Sequence, residues 1–573
     1  MYKSSLSAGR INLFSDDMRT ITERHRKLPS ASLRSIHGRG LGSRRPDARA
    51  DAARPECLSE KKASMSFTSV LFHDGGRSND SMTAPEYFPD LNCDQIVDAI
   101  TAGKEGYNLK PLFYDCVKSI AAIEYRHAVM RDLENSTLFA RVATFAKEMR
   151  DMREYMARVN KLHYKEQQEG WFLDAVERYC DSVGAFAEDL SKIQLSSAGF
   201  RGFRDYLANY VASAAFQGLR QETNALKSEL ATIKYSILIN GDRFTVRSYE
   251  PQPDFGSEVA STFKKFAQGD GKSYLVNFKA SEDMNHIEAK ILEFVAKLNP
   301  RIFSALDDYC RRNAVFLDGT IAAFDREIQF YVSYLEYIGR LSKAGLPFCY
   351  PEFSEKKGEI YATECFDMAL GQKLIASNAQ TICNDFRLTG NERILVVSGP
   401  NQGGKTTFAR MFGQVHHFAK LGCPIPGRSA RLFLFDRIFT QFEREEKVEN
   451  LRGKLEDDLV RMRQLLADAT EQSLVILNEV FTSTTVQDEI FLSRKIIEQV
   501  IKLDALCVWV TFVDELASFG PQTVSMVSMV APENPALRTF KIVRHPADGL
   551  AYAMAIAQKY DVTYKSIMSR IGP

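Results

Sequence analysis

The chain has 573 residues, too many for a single hydrophobic core, so roughly three or four structural units are expected. Its 74 Lys and Arg residues nearly equal its 73 Asp and Glu residues, and this balance excludes a protein that is basic over its whole surface. No apolar run approaches the roughly 18 residues that span a bilayer, which argues against membrane insertion.

The cysteines and histidines show no metal-ligand pattern. None of the ten cysteines forms a Cys-x-x-Cys pair, and they are scattered through apolar segments. The nine histidines show no ligand spacing, and we expect the adjacent His416 and His417 to serve packing or to lie at the surface. We therefore predict reduced thiols, no zinc site and a cytoplasmic location.

Residues 1–65 are rich in Arg, Ser, Gly and Ala, with roughly twice as many basic as acidic residues. Such a segment buries too little apolar surface to order itself, so we predict disorder. Three interpretations are open. It is a basic arm that contacts nucleic acid, a transit peptide (against which Asp16, Asp17 and Glu23 argue), or an upstream extension of a reading frame that starts at Met65. We favour the last.

Residues 66–233 have a helical period. Apolar residues recur every three or four positions in residues 94–100 and 138–149, with polar residues on the other face. The stretch 200–233 contains no proline and predicts one continuous helix of about 50 Å. We assign a helical core and a first long arm to this region.

Residues 234–282 change to an alternating period. Residues 235–239 and 243–247 flank Asn240-Gly241-Asp242, and Asn-Gly between two such runs predicts a β-hairpin. Residues 272–278 predict a third strand. The helical period returns over residues 283–345, so a small β unit separates two helical arms.

This small β unit carries cations that are candidates for phosphate contact, which requires only a positive charge within reach. Acidic residues such as Asp242, Glu250 and Asp270 interleave with them, so an ordinary solvated surface of mixed charge is the alternative. The candidate nucleic-acid contacts are Lys234, Arg243, Arg247, Lys264 and Lys265.

Residues 346–573 alternate apolar strand candidates with helical segments, as is typical of an α/β domain. The strand candidates are residues 393–398, 473–477 and 506–511.

The first of these strands leads into a glycine-rich loop that fits Gly-x-x-x-x-Gly-Lys-[Ser/Thr]. A strand–loop–helix of this kind turns backbone N–H groups toward one point, where an anion binds at the helix N-terminus. We predict an ATP-binding P-loop, with Lys405 on the β- and γ-phosphates and Thr406 on Mg²⁺. Its residues are Gly399, Pro400, Asn401, Gln402, Gly403, Gly404, Lys405, Thr406 and Thr407.

The second half of such a site is a strand that ends in acidic residues, which hold Mg²⁺ and activate water. Residues 474–479 provide this strand, but Asn478 occupies the place of the usual Asp and offers the metal only a neutral oxygen. Glu479 is the candidate general base and, with Lys405, the candidate catalytic pair. The alternative is that Glu479 merely ends a strand.

With these segments identified, residues 345–560 resemble the ATPase domain of the MutS DNA mismatch-repair family. The loop at residues 399–407 is close to that family's Gly-Pro-Asn-Met-Gly-Gly-Lys-Ser-Thr. Two further segments match elements of that domain: Asp436-Arg437-Ile438-Phe439-Thr440 and Ala469-Thr470-Glu471-Gln472-Ser473-Leu474-Val475.

The resemblance implies a multidomain fold: a helical core with long lever helices and a small β clamp, then an ABC-like α/β P-loop NTPase domain. It implies a homodimer with composite ATP sites between two ATPase domains, and levers that carry the nucleotide state to a clamp around DNA. It also places Asn384 near the adenine.

The chain departs from the family pattern at several positions. Asn478 replaces the metal-binding Asp, and Phe512 replaces the histidine that follows the next strand. The segment Arg452-Gly453-Lys454-Leu455 stands where the family has a Ser-Thr signature that acts on the partner's site. Either Arg452 or Lys454 supplies charge to the partner's γ-phosphate, or both are solvated helix-face residues. No mismatch-reading domain fits before residue 90.

We therefore expect a slow, MutS-related ATPase that uses ATP and Mg²⁺, dimerises through its ATPase domains and clamps mismatched, branched or duplex DNA. The alternative is an ATP-gated scaffold, or an RNA-directed clamp, whose hydrolysis has decayed. All of these hypotheses predict a protein with no membrane partner and no zinc.

Overall fold

The computed structural model describes residues 67–73, 75–76, 82–240, 243–250, 284–443, 453–531, 533–547, 557 and 560–571. Several predictions concern residues outside this set, namely those for residues 1–65, the third strand at 272–278, Lys264, Lys265 and Arg452. None of the helices in the described part of the chain combines the length and apolar character that crossing a bilayer requires.

The first part of the chain is helical, as the apolar period predicts. Its helices are α1 Cys93–Thr101, α2 Lys110–Tyr114, α3 Ile120–Leu133, α4 Ser136–Val159, α5 Lys165–Lys192, α6 Ala198–Ala212 and α7 Ala214–Ala231.

The prediction of one continuous helix over residues 200–233 is wrong, because the chain breaks at Ser213 between α6 and α7. Ser213 has an extended backbone (φ −66°, ψ 147°) and caps α7. Its hydroxyl accepts a hydrogen bond from the Phe216 amide at 3.3 Å and donates one to the Tyr210 carbonyl at 2.6 Å. A serine that satisfies both helix ends competes with helix continuation, and proline is not needed to end a helix.

The predicted hairpin is confirmed as two antiparallel strands, β1 Tyr235–Asn240 and β2 Arg243–Ser248. Three helices follow where the helical period returns: α8 His286–Leu298, α9 Pro300–Arg312 and α10 Gly319–Lys343. Asn285 begins α8 with a reciprocal capping box to Glu288.

The last part of the chain alternates strands and helices. The first group is β3 Phe348–Cys349, β4 Glu352–Ser354, β5 Glu359–Cys365, α11 Met368–Ala376, β6 Asn384–Thr389, β7 Ile394–Ser398, α12 Lys405–Lys420, β8 Ile425–Pro426 and β9 Ser429–Phe433. The second group is β10 Ile438–Phe442, α13 Lys454–Asp468, β11 Leu474–Asn478, α14 Val486–Leu503, β12 Leu506–Val510, β13 Thr523–Ala531, β14 Asn534–Arg544 and α15 Tyr564–Ile571.

A six-stranded mixed sheet in the order β10-β11-β12-β7-β13-β14 organises this region. Its first five strands are parallel and β14 is antiparallel to β13. The three strand predictions correspond to β7, β11 and β12, and each is confirmed to within one residue. They were predictable because every residue in these strands is buried, which produces continuous apolar runs.

One compact unit comprises, among the described residues, Phe67, Thr144–Lys192 and those within Arg204–Asp318. Within it, α5 and α7 are joined by Lys227, whose ammonium lies 2.7 Å from an Asp174 carboxylate oxygen and also contacts Glu177. The hairpin packs against α8, where the rings of Phe244 and Phe294 lie 6.2 Å apart.

The second compact unit comprises the described residues within Thr68–Ala143, Ile193–Phe203 and Gly319–Pro573, and it contains the six-stranded sheet. Helix α12 packs so closely on this sheet that a Cβ at Gly413 would lie 2.9 Å from the Ile476 side chain. His416 and His417 on this helix are buried, so they serve packing rather than the surface.

Asp436 joins the two segments that carry the family resemblance outside the glycine-rich loop. Its carboxylate accepts hydrogen bonds from Thr470 Oγ1 at 2.6 Å and from Ser473 Oγ at 2.8 Å. These bonds hold the chain that enters β10 against the chain that enters β11. The shared residues at these positions therefore have a structural role here.

Candidate functional site

The glycine-rich loop joins the buried central strand β7 to helix α12. Gly404, the residue before the helix, has φ 92°, and Gln402 and Gly399 also have positive φ, at 59° and 112°. At Gly403 the constraint is space, because an added Cβ would lie 2.2 Å from Ser528 Oγ. This tightly folded loop brings the N-terminus of α12, with its partial positive charge, to the edge of the sheet.

Lys405 is held inside the loop. Its ammonium lies 3.1 Å from the carbonyl oxygens of both Gly399 and Pro400, and its residue is only 4% exposed. Burial lowers the pKa of Lys405 below the usual lysine value, while the nearby Glu479 carboxylate, with Oε1 at 4.0 Å from Nζ, opposes this shift. A buried cation that has no anion in direct hydrogen bond among the described residues suits an anionic ligand.

The residues predicted to complete the site follow two neighbouring strands at the same edge. In the sheet register Asn478 pairs with Val510, and Val510 with Val397, so the chain leaves β7, β11 and β12 side by side. The Glu479 amide donates to the Val510 carbonyl at 2.9 Å and the Thr511 amide to the Val397 carbonyl at 3.1 Å. Glu479 is therefore near Lys405.

The backbone just after β11 is strained. Glu479 has φ 52° and Phe481 has φ 67°, a conformation that costs non-glycine residues energy. Phe481 is completely buried, and its packing in the core offsets this cost. Strain of this kind in an over-determined setting is typical of functional positions.

Asn478 presents an unused acceptor. Its side chain is 6% exposed, and its Oδ1 has no hydrogen-bond partner among the described residues. Thr406, in the first turn of α12, is half-buried and carries a hydroxyl. These two neutral oxygens fit Mg²⁺, which takes few protein ligands and completes its shell with water and phosphate oxygens. No cluster of three His, Cys, Asp or Glu side chains that suits a metal occurs in the described ranges.

Phe512 covers Lys405. Its ring centroid lies 4.3 Å from the Lys405 ammonium, a cation–π distance, although the ring is 45% exposed. The sequence indicated only that a histidine was missing here. The structure adds that the replacing ring contacts the lysine of the loop.

Asn384 is buried at the start of β6, and its amide binds the backbone of β14. Its Nδ2 donates to the Phe540 carbonyl at 3.1 Å, and its Oδ1 accepts from the Ile542 amide at 2.7 Å. These bonds hold β14 beside the loop.

Lys454, the trans-site candidate in the described residues, begins α13. Its ammonium forms an ion pair with Glu443 at 2.5 Å.

Three residues of β13 and β14 at this site were missed by sequence reasoning. Ser528 is fully buried, and its hydroxyl donates to the Gly403 carbonyl at 2.7 Å. Arg538 Nε donates to the Asn401 carbonyl at 3.2 Å. Phe540 lies 3.7 Å from the Cβ position of Gly404 and is 48% exposed. They belong to ordinary alternating strands more than 120 residues after the loop, so no motif identified them.

In the other compact unit, the hairpin places its cations on one face. Arg243 and Arg247 are four positions apart on β2 and pair with Asn240 and Ser236 on β1, so all four share a face. Lys234 lies just before β1, two positions ahead of Ser236 in the chain. All three cations are exposed. Lys264 and Lys265 lie outside the described residues.

Comparison with known proteins gives related sequences for the part of the chain that contains this site. The family model of MutS domain V matches residues 395–569. The DNA mismatch repair protein MutS of Thermotoga sp. (strain RQ2) is 31% identical over 179 residues, which cover 30% of this chain and 22% of that protein.

Two other relatives give a similar result. MutS of Zymomonas mobilis is 30% identical over 159 residues, covering 26% of this chain and 18% of that protein. The DNA mismatch repair protein MSH3 of Eremothecium gossypii is 28% identical over 162 residues, covering 28% of this chain and 16% of that protein. The chain thus spans about a fifth of the length of the curated relatives that it matches.

Residues 395–569 of the chain are therefore related to MutS domain V, and the relationship rests on this C-terminal part. This finding confirms the family resemblance identified in the sequence.

Proposed function

We propose that this MutS-related chain binds ATP at the loop formed by residues 399–407 and hydrolyses it slowly. The observation that carries the proposal is the ammonium of Lys405, buried 3.1 Å from two loop carbonyls at the N-terminus of α12 with Glu479 beside it. A buried cation at a helix N-terminus favours a polyanionic ligand, and the triphosphate of a nucleotide provides the charge.

In this proposal, different groups of the site bind the phosphates and the metal ion. The backbone N–H groups of the loop, which Pro400 lacks, and the ammonium of Lys405 hold the phosphates. Thr406 and the unused Oδ1 of Asn478 provide oxygens for Mg²⁺. When bound, Mg²⁺ neutralises charge on the phosphate oxygens.

Glu479 is the proposed general base. Its carboxylate is partly exposed and lies on the same sheet edge as the loop, 4.0 Å from the Lys405 ammonium. In this position it accepts a proton from a water molecule that attacks the terminal phosphate. Turnover is slow, because Asn478 gives the metal no charge and Phe512 gives the phosphate no hydrogen-bond donor.

We propose further that the chain forms a homodimer through residues 346–573 and binds DNA through the small β unit. The printed function of the relatives, DNA mismatch repair, supports DNA as the ligand. The shared exposed face of Lys234, Arg243 and Arg247 supports the hairpin as the contact, since phosphates are bound by cations within reach. Helical arms 66–233 and 283–345 would connect the two activities as levers.

The test is ATP turnover by the full chain with and without duplex, mismatched, branched and single-stranded DNA and RNA. The proposal predicts slow hydrolysis that at least one DNA structure changes, and sedimentation that shifts toward a dimer when ATP is added. A chain that hydrolyses no ATP, binds no DNA at low salt and stays monomeric with ATP would contradict it.

A second candidate function is an ATP-gated binding protein with almost no turnover. The contact of Phe512 with Lys405 favours it, because an aromatic ring occupies the space beside the lysine where a polar group would assist hydrolysis. The same experiment separates the two, since a gated scaffold binds ATP without hydrolysing it at a measurable rate. Stronger binding to RNA than to DNA would indicate the RNA-directed clamp.

A further inference from the structure

The ammonium of Lys405 is turned toward its own loop. It lies 3.1 Å from the carbonyl oxygens of Gly399 and Pro400 and 3.5 Å from Oδ1 of Asn401. Because a lysine ammonium has three N–H donors, these oxygens already accept the hydrogen bonds that it is able to donate. Only 4% of the residue is exposed. A phosphate oxygen that binds this ammonium must therefore displace one of its present neighbours.

Groups from outside the loop also contact the ammonium. The centroid of the Phe512 ring lies 4.3 Å from Nζ, and Oε1 of Glu479 lies 4.0 Å from it. The face of an aromatic ring attracts a cation at this distance, and the attraction is stronger where water is partly excluded. Phe512 is thus a neutral group that competes with a phosphate for the same cation.

The ring of Phe512 is able to move while the backbone on both sides of it is fixed. Phe512 is 45% exposed, whereas Thr511 and Val513 are 3% and 6% exposed. The Thr511 amide donates to the Val397 carbonyl at 3.1 Å, and the Val513 amide donates to Thr511 Oγ1 at 3.0 Å. Exposed side chains change rotamer rapidly, so a rotamer change suffices to move the ring away from Lys405.

The other neighbours of the ammonium are held more firmly. Ser528 Oγ donates to the Gly403 carbonyl at 2.7 Å, and the strand that leads into the loop, β7, is buried along its whole length. Glu479 has φ 52°, and its amide donates to the Val510 carbonyl at 2.9 Å. The ring is therefore the neighbour that leaves the ammonium most easily.

We propose that Phe512 is a gate for the phosphate site: its ring rests on the Lys405 ammonium in the closed state, and a rotamer change exposes this ammonium to the phosphates of a nucleotide. This inference rests on the proposed function and adds how access to that site is controlled. The apparent affinity of a site that is open only part of the time is lowered by the open fraction. Phe512 therefore weakens and slows the binding of any ligand that the lysine holds through phosphate.

The experiment is equilibrium and stopped-flow binding of the full chain to two probes, ATP and inorganic triphosphate, each with Mg²⁺. In Phe512→Ala the closed state loses its cation–π contact, so both probes should bind about three- to tenfold more tightly. This gain should appear in the association rate. The dissociation rate should stay within about twofold of the native value, because the ring has already left the ammonium in the bound state.

Phe512→Trp should have the opposite effect. An indole makes a stronger cation–π contact than a phenyl ring, so both probes should bind about two- to threefold more weakly than to the native chain. The matched control is Phe491→Ala, which removes a phenylalanine that is 60% exposed on α14. It should leave both dissociation constants unchanged, and thermal unfolding of each variant checks that the chain is folded.

The two probes separate a gate from a ring that stacks on the adenine. A stacking ring would make Phe512→Ala weaken ATP binding and leave triphosphate binding unchanged, and this result would overturn the inference. Equal binding of both probes by Phe512→Ala and the native chain would also overturn it, while nucleotide binding itself would stand. Failure of both chains to bind either probe would overturn the proposed function as well.

Discussion

The glycine-rich loop and the β-hairpin both present cations, but they hold them in opposite ways. Lys405 is 4% exposed, touches two backbone carbonyls and sits beneath an aromatic ring. Arg243 and Arg247 are exposed on one face of a two-stranded sheet. The loop therefore fixes one charge at one point, whereas the hairpin offers several charges over a surface.

This difference decides what each region is able to recognise. A buried charge is weakly screened by salt and is held in one position, which suits a single polyanionic group of fixed shape. Exposed charges are screened by salt and bind a repeating polyanion with little sequence preference. One substitution in the loop should therefore abolish its activity, whereas one substitution in the hairpin should only weaken binding.

The largest change in activity is expected beside the loop, where the carboxylate of Glu479 is the proposed general base. Glu479→Gln should lower ATP turnover by about 100-fold or more and change ATP affinity by less than about threefold, because the amide keeps its shape but takes up no proton. Phosphate release and equilibrium binding measure the two. Glu498→Gln on α14, where Glu498 pairs with Lys495, is the matched control. Unchanged turnover in Glu479→Gln would remove this residue from the mechanism.

The second effect concerns α12, the helix that carries the loop. His416 and His417 donate to the carbonyls of Phe412 and Phe113, and burial lowers their pKa values to about 4 and about 3. Both stay neutral in the folded chain while the unfolded chain takes up protons below about pH 6.5. Stability should therefore fall with pH from about 6.5 toward 4, by about 1.4 kcal/mol per pH unit for each histidine.

Urea unfolding at pH 7.0 and 5.5, followed by the fluorescence of the buried Trp509, measures this loss. His417→Gln should be less stable at neutral pH but should lose less stability on acidification than the native chain. Equal losses in the two chains would show that His417 does not have the depressed pKa.

Substitutions in the hairpin should give the smallest effect, a partial loss of DNA binding. Arg243→Glu together with Arg247→Glu should weaken DNA binding by about tenfold at moderate salt and reduce the salt dependence by about two units of slope. Lys192→Glu, which disrupts an exposed pair with Glu188 in the same compact unit, is the control. An unchanged salt slope in the double variant would move the DNA contact away from this face.

The sequence predicted features that depend on neighbouring residues and missed features that depend on a single side chain or on contacts between distant residues. The strands β7, β11 and β12 were predictable because continuous burial leaves a continuous apolar run, and the loop because its backbone geometry requires glycines at set positions. The break at Ser213 was missed, because one hydroxyl decides it while the helical period continues through it. Ser528 and Arg538 were missed because only the folded sheet brings β13 and β14 to the loop.

Departures from the family pattern were visible in the sequence, but their consequences were not. Asn478 was identified as a lost charge, and the structure adds that its oxygen is buried without a partner in the described residues. Phe512 was identified as a lost histidine, and the structure adds its contact with Lys405. Such consequences depend on the distance between residues more than 70 positions apart, which sequence spacing does not reveal.

The central claim is that the loop at residues 399–407 binds a triphosphate through a buried lysine, and calorimetric titration of the full chain with ATP tests it most directly. The account predicts saturable binding by the native chain and a loss of about 100-fold or more in Lys405→Ala, with Lys495→Ala, an exposed lysine paired with Glu498, unchanged. Equal affinity in the native chain and Lys405→Ala, or no binding by either, would contradict it.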